Sequence, residues 1–317
     1  MATTYTVALL CGGTSNEREV SFASAQNVEK TLAAAGHRVV KIDTANKGFH
    51  NELEQLRPDV AFIALHGKGG EDGTIQAVLE LLDIPYTGSG VLGSALAMDK
   101  HRSKIIYESL GLNTPAGLLL KKSAFDEAAT GSDYILKRQG LPVVVKPCDS
   151  GSSFGVTIVR DEGQLEKAVA EAFATSWEVL IEQYISGTEI TVAVIGGAET
   201  MALTAIEIIP KNEFYDYESK YAEGGSDHII PARLSQAALA EAYRAALLAH
   251  EGLNCYGVSR TDMIVDAEDK VWVFETNTIP GMTGTSLLPD AALHKGISNL
   301  ELYESFIKWA LERPSRP

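Results

Sequence analysis

Cysteine is scarce in this chain of 317 residues and poorly placed for cross-linking. Cys11, Cys148 and Cys255 are odd in number, far apart and never in a C-x-x-C pair. That excludes a disulfide framework and a cysteine-rich zinc site, and the expected compartment is a reducing cytoplasm. Long apolar runs are missing too, since no stretch approaches the ~18 to 20 residues needed to span a bilayer. The first apolar run, Val7 to Cys11, is short, has no basic lead-in and flows into Gly12-Gly13, so no signal peptide is expected. The seven histidines show no H-E-x-x-H or other tight ligand spacing. Positive charge is in deficit: 27 Lys+Arg against 42 Asp+Glu leave a net charge of −15. Such a field repels nucleic acid and anionic membranes, and neither is an expected partner. Any anionic ligand must be met by a local cluster of cations.

What remains is an ordinary globular composition, 45% hydrophobic and 22% charged, long enough for two or three domains. The first third alternates strand and helix. Strands are expected at Tyr5 to Cys11, Arg38 to Asp43 and Val60 to Leu65, with helices at Glu19 to Ala35 and Thr74 to Leu82. The fold class is therefore α/β with a parallel sheet in this part, whose ligand edge lies at the carboxyl ends of the strands, Cys11 to Ser15 and His66 to Gly73. A basic helix from Ser94 to Leu110 and the stop Asn113-Thr114-Pro115 follow. Four short strands (118–120, 143–146, 156–159, 179–182) and a helix at 164–173 then suggest a small α+β lid. The last part has strands at 191–195 and 202–209, a polar loop from Lys211 to about Ile229, a helix from Ser235 to near Gly252, and a hairpin from Val258 to Glu275. The expected domains are 1–96, 97–186 and 187–317.

That hairpin carries the sharpest chemical signal. Period-two alternation puts Arg260 with Asp262 on one face of the first strand and Glu275 with Asn277 on one face of the second. A four-residue turn, Asp266 to Asp269, would set Arg260 opposite Glu275 and gather all four groups on one face. Two carboxylates, an amide oxygen and a guanidinium suit a hard cation beside a phosphate. An isolated Arg-x-Asp is more often a solvated sheet face, but the stiff Asn277 to Thr283 turn that follows favours fixed side chains.

Lys146, at the end of a strand, precedes a Gly/Ser loop through Gly155, which reads either as a flap over phosphates or as an ordinary hairpin loop. It is not a Walker A loop. Gly88-Ser89-Gly90-Val91-Leu92-Gly93 matches G-x-G-x-x-G but lacks the flanking βαβ unit, so close helix packing is expected rather than dinucleotide binding. His66, at a strand end before glycines, is expected to face ligand. Position alone leaves Lys100 a surface residue or a phosphate ligand.

Taken together, Gly12 to Ser21, His66 to Gly73, Val145 to Gly155, Tyr215 to Tyr221, Arg260-Thr261-Asp262 and Glu275 to Thr283 strongly resemble the D-alanine:D-alanine ligases of the ATP-grasp superfamily, in the right order over nearly the whole chain. The resemblance implies an ATP-grasp fold with a small central α+β domain and nucleotide between the central and C-terminal domains. It matches Lys100, Lys146 and Lys220 to phosphate lysines, Glu182 and Glu189 to ribose and adenine-side acids, and Ile185 to a position beside adenine. Asp262, Glu275 and Asn277 match ligands of two Mg²⁺ ions, with Mn²⁺ as a substitute. Glu17, with Ser152 and Tyr221, matches the group that takes the first D-alanine ammonium; Arg260 matches a transition-state arginine, and Ser286 and Leu287 match the second carboxylate pocket.

The implied reaction joins two D-alanines through an acyl phosphate, releases ADP and phosphate and serves peptidoglycan precursor synthesis; the family is commonly dimeric. Ligation to D-lactate or D-serine, another carboxylate-amine ligation, and nucleotide binding without turnover are the competing readings. The intact set Arg260, Asp262, Glu275 and Asn277 favours turnover over the last.

Overall fold

A computed structural model describes residues 3–123, 131–151, 154–210 and 225–313. The first strand, β1 (Thr6–Cys11), is flanked by parallel β2 (Arg38–Asp43) and β3 (Val60–Ile63) in the order β2-β1-β3. The near-continuous apolar runs of β1 and β3 are what a strand covered on both faces requires, whereas β2, at the edge, carries Arg38, Lys41 and Asp43. Helix α1 (Arg18–Ala34) lays Val20, Ser24, Ala25, Val28 and Leu32 into that core at helical spacing. The turn between β1 and α1 depends on glycine. Gly12 and Gly13 have φ of +73° and +75°, and a Cβ on Gly12 would lie 2.3 Å from Asp43 Oδ1. Arg18 then grips Asp43 (Nη2–Oδ2 2.5 Å) and donates to the Gly13 carbonyl at 2.7 Å, fixing the turn.

Helices α2 (Phe49–Leu56) and α3 (Thr74–Leu81) complete this part. The single basic helix expected from Ser94 to Leu110 is instead two helices, α4 (Val91–Met98) and α5 (Lys100–Ser109). Asp99 breaks it: its backbone is extended (φ −84°, ψ 102°) and its carboxylate caps α5 by accepting from Arg102 N–H at 2.9 Å. Of the three glycines in the Gly88 to Gly93 motif, Gly93, inside α4, acts in packing, since a Cβ on it would meet the Asn254 carbonyl oxygen at 2.4 Å.

The middle of the chain forms a four-stranded antiparallel sheet, β4 (Gly117–Lys121), β5 (Val143–Pro147), β6 (Thr157–Val159) and β7 (Glu178–Gln183), in the order β4-β7-β5-β6. Helix α6 (Gly131–Gln139) and helix α7 (Leu165–Phe173) accompany it, and α7 buries Leu165, Ala168, Val169, Ala172 and Phe173 in a separate core.

The last sheet is antiparallel around β8 (Thr188–Gly196). Its order is β11-β10-β8-β12-β13, with β9 (Thr200–Ala202) also on β8, β10 at Ile206–Pro210 and β11 at Ser226–Ile229. The one strand expected over 202–209 is therefore two, because the chain leaves the ladder and Ala205 N–H turns to the Tyr243 hydroxyl. The expected loop to Ile229 closes as β11; residues 211–224 lie outside the described residues. Helix α8 (Gln236–Gly252) presents Ala238, Ala242, Ala245, Ala246 and Ala249 to the sheet, small side chains that let it approach closely. The final helices, α9 (Leu287–His294) and α10 (Asn299–Glu312), return to the first sheet, where Phe62 meets Tyr303 edge-on at 5.8 Å.

Strands β12 (Gly257–Val265) and β13 (Val271–Asn277) form the expected hairpin in a different register. Asp262 stands opposite Glu275, and Arg260 opposite Asn277. The turn carries one more residue than a four-residue loop, from Asp266 to Lys270, with Asp269 left-handed at φ 61°. A bulge at Phe274 adds a second. Two single-residue offsets restore the period-two parity, so the four polar groups still share one face.

The hydrogen bond from Arg18 lowers the Asp43 pKa from the ordinary 3.8 to about 2. A depressed folded-state pKa adds stability that is present above the unfolded value and lost as pH falls through the folded one. Asp43→Asn is therefore expected to lower Tm at pH 7, with the gap from wild type closing between about pH 4 and pH 2. A gap independent of pH in thermal melts would contradict this role.

Candidate active site

Two cavities meet at the β12–β13 face. The larger, about 520 Å³, lies between the middle and last sheets and is lined by Lys100, Lys146, Ile185, Glu189, Asp262 and Glu275 among others. The smaller, about 80 Å³, is lined by Glu17, Glu71, Lys100, Arg260, Asn277 and Ser286 among others. One cation and one carboxylate among the described residues mark their junction: Lys100 and Glu275 line both.

Lys100 starts α5, and Asp99, by capping that helix, fixes where it projects. Its Nζ lies 3.0 Å from Glu275 Oε2 and donates to the Ser150 carbonyl at 2.7 Å, while its backbone N–H bonds Cys148 O. Although Lys100 is buried, Glu275 holds its ammonium above the ordinary lysine value. Arg260 grips Asp262 through two hydrogen bonds, Nε to Oδ1 at 2.9 Å and Nη2 to Oδ2 at 2.8 Å. Thr191 Oγ1 donates to the same carboxylate at 2.6 Å. Asn277 Oδ1 accepts from Ile279 N–H at 2.9 Å, which begins the stiff turn expected there.

Glu17 is the residue before α1 and is buried against two glycines. A Cβ on Gly67 would sit 2.5 Å from Glu17 Oε2, and one on Gly151 2.9 Å from it. Ser286 is the N-cap residue of α9 and, with Leu287, brings that helix's N-terminal N–H groups to the small cavity. Ile185 and Glu189 line the large cavity. Ser152, Lys220 and Tyr221 lie outside the described residues.

Two expected positions differ. His66 lines neither cavity: its Nε2 is 2.9 Å from Ser24 Oγ and its Nδ1 3.1 Å from the Ile279 carbonyl, so both nitrogens are used inside the protein. Burial lowers its pKa and keeps it neutral. It ties the first sheet to the Asn277 turn. Glu182 is fully buried behind the large cavity, between Lys104 (2.6 Å) and Lys146 (2.5 Å).

Sequence reasoning missed Glu71. Its carboxylate accepts from Gly67 N–H at 2.7 Å and Ile279 N–H at 3.3 Å, and burial, then the Glu17 charge, raises its pKa to about 8. A glutamate within Gly67 to Gly73, where glycine backbone can wrap a carboxylate, was the available signal. Phe274, the bulged residue, was missed as well; its ring faces Lys104 and Lys146 at 5.5 and 5.7 Å.

Among the described residues no three His, Cys, Asp or Glu side chains converge on a metal position. The donor chemistry nevertheless fits Mg²⁺, which takes one or two carboxylates and completes its shell with phosphate and water. Asp262 and Glu275 stand directly opposite each other beside Asn277, two like charges that a hard cation would compensate.

Comparison with known proteins places the chain in a family. The family model for the D-ala D-ala ligase C-terminus matches residues 106–308, and that for the N-terminus matches 44–89. The chain belongs to the D-alanine–D-alanine ligase family. It is accordingly an ATP-dependent ligase. It is 45% identical to the D-alanine–D-alanine ligase of Halalkalibacterium halodurans, over 97% of this chain and 99% of that one. It is 48% identical to that of Syntrophobacter fumaroxidans, over 97% and 98%. Among solved structures, the Bacillus anthracis D-alanine–D-alanine ligase complexed with ATP is similar with TM-score 0.82 and 33% identity, covering 98% of each chain. The Coxiella burnetii ligase is similar with TM-score 0.83 and 29% identity, over 98% and 95%.

The Glu17 contacts generate a test specific to this ligase. Gly67 has φ +71°, and Gly67→Ala would add strain as well as crowd the Glu17 carboxylate. The variant is expected to keep ATP binding by calorimetry while turnover, followed as ADP release, falls about tenfold or more. Unchanged turnover would show that the Gly67–Glu17 approach has no bearing on the reaction.

Proposed function

We propose that the large cavity holds ATP and that the reacting ends of two D-alanine molecules meet at the small one, with Lys100 and Glu275 at the point of phosphoryl transfer. The reaction is the ATP-dependent ligation of two D-alanines to D-alanyl-D-alanine with release of ADP and phosphate, a step in peptidoglycan precursor synthesis. The observation that supports the spatial reading is the shared wall: the same two residues line both cavities.

In this reading Lys100 and Lys146 meet the phosphates, Ile185 lies beside adenine, and Glu182 and Glu189 are the ribose and adenine-side acids. Asp262, Glu275 and Asn277 hold two Mg²⁺ ions, or Mn²⁺, which neutralise phosphate charge when bound. The carboxylate of the first D-alanine attacks the γ-phosphorus, expelling ADP and leaving an acyl phosphate. Glu17 orients that D-alanine through its ammonium. The N-terminus of α9, at Ser286 and Leu287, receives the carboxylate of the second. The second amine, having lost its extra proton, attacks the acyl carbon and expels phosphate. Arg260 faces the small cavity, where it stabilises charge on the transferring phosphoryl group and on the tetrahedral oxygen. The segment around Ser150 and Gly151 borders the small cavity and excludes water from the acyl phosphate. The resemblance assigns Ser152 and Tyr221 to the Glu17 network and Lys220 to the phosphates. Domains at 1–96, 97–186 and 187–317, a homodimer and a cytoplasmic location complete the proposal. No helix among the described residues is long and apolar enough to cross a membrane.

The test is Mg²⁺-dependent ADP release with mass spectrometry of the product. D-alanine is expected to be required, and equal release with L-alanine would overturn the substrate assignment. Glu275→Gln removes a charge at the junction of the cavities, and kcat is expected to fall about 100-fold while the thermal melt stays cooperative. Near-wild-type kcat in the folded variant would return the β12–β13 face to a structural role.

A further inference from the structure

Beneath the large cavity lie three buried charges that the reaction as described does not fully use. Glu182, on β7, has no solvent exposure; Lys104, on α5, and Lys146, on β5, are each nearly fully buried. Lys104 Nζ lies 2.6 Å from Glu182 Oε1, and Lys146 Nζ 2.5 Å from Oε2. Of the three, only Lys146 lines the cavity. Lys104 is anchored from the other side, donating to Thr114 Oγ1 at 2.7 Å, and Thr114 Oγ1 in turn donates to the Val273 carbonyl of β13 at 2.9 Å. A rigid chain of contacts thus runs from the last sheet, through Thr114 and Lys104, to a carboxylate in the middle sheet.

From this geometry we infer that Lys104 is a positioning residue for the triphosphate: it occupies one oxygen of Glu182 so that Lys146 keeps uncompensated positive charge at the cavity wall. Charge counting gives the reason. With both lysines charged, the cluster carries one net positive charge. Without Lys104 the remaining pair is neutral, and Lys146 alone faces the buried Glu182 carboxylate at 2.5 Å. Charges this well buried are weakly screened, so a change of one unit is felt across the cavity wall. In a chain of net charge −15, a cation at that wall has few substitutes. Burial costs Lys104 part of its basicity, lowering its pKa to about 8 against the pull of Glu182, which is what a lysine retained for its charge at this depth would endure.

The inference rests on the large cavity being the ATP site and deepens that reading. Its test uses binding rather than ligation, with inorganic tripolyphosphate as a probe that has no nucleobase. Wild type is expected to bind both ATP and tripolyphosphate by calorimetry. If it binds neither, the cavity assignment fails before Lys104 is in question. Lys104→Met keeps the apolar stem and removes the charge, and is expected to weaken both ligands about tenfold. Among steady-state constants, KM for ATP should rise while KM for D-alanine and kcat at saturating ATP stay within about threefold. Glu182→Gln alone leaves two positive charges and should bind tripolyphosphate more tightly than wild type. The double variant, with one charge again, should return to the wild-type affinity for tripolyphosphate. The glutamine variant also guards against a Lys104→Met protein that fails to fold. Unchanged tripolyphosphate affinity in a folded Lys104→Met protein would overturn the inference, as would a Glu182→Gln protein that binds it no better than wild type.

Discussion

Asp262 and Glu275 face each other across one antiparallel pair, and like charges in that relation oppose sheet formation. Most of the site follows from that conflict. Arg260 and Thr191 satisfy one carboxylate, and Lys100 satisfies the other. Lys100 reaches Glu275 only because the chain breaks its helix at Asp99 and restarts it at that residue. The same lysine then ties the Ser150 carbonyl, so the root of the phosphate-side loop is positioned by a group whose first task is charge compensation. A cation that enters with phosphate would relieve the repulsion directly, which is why a pairing unfavourable to folding is tolerated where the chemistry happens.

Much of this was legible in the sequence, and the failures have physical causes. Alternation placed Arg260, Asp262, Glu275 and Asn277 on one face because side-chain parity is a local property of each strand. Their pairing was not local. It depended on a left-handed Asp269 and on the bulge at Phe274, each of which shifts register by one residue without a mark in the hydrophobic pattern. The helix over 94–110 failed for a related reason: Asp99 can be a helix interior or a cap, and only the tertiary demand on Lys100 decides. His66 was read as facing ligand because it ends a buried strand before glycines. The competing possibility, an imidazole spanning Ser24 and the Ile279 carbonyl, joins segments 42 and 213 residues away, and no short-range pattern records that.

Buried ionisable groups are the common currency of this site. Glu17 and Glu71 share the small cavity, Glu182 is enclosed by two lysines, and Lys100 is held by Glu275. Each is affordable only with its partner in place, so the geometry of one constrains the next. Glu71 joins Gly67 to Ile279, and His66 joins Ser24 to the same residue. Behind the small cavity these bonds link the first sheet to the turn after Asn277.

The return of α10 to the first sheet bears on how the polypeptide comes into being on the ribosome. Phe62 and its neighbours are covered by Tyr303 and Phe306, the latter at 6.2 Å, and Asn27 donates to the Tyr303 hydroxyl at 3.1 Å. These contacts join residues made early to residues made much later. At ~5 to 20 residues per second, translation leaves the face of β3 waiting on the order of ten seconds or longer for its cover. During that interval the nascent chain exposes an aromatic surface next to parallel strands, the condition under which a growing polypeptide most needs shielding from its neighbours. Loss of α10 from Tyr303 onward would make that transient exposure permanent.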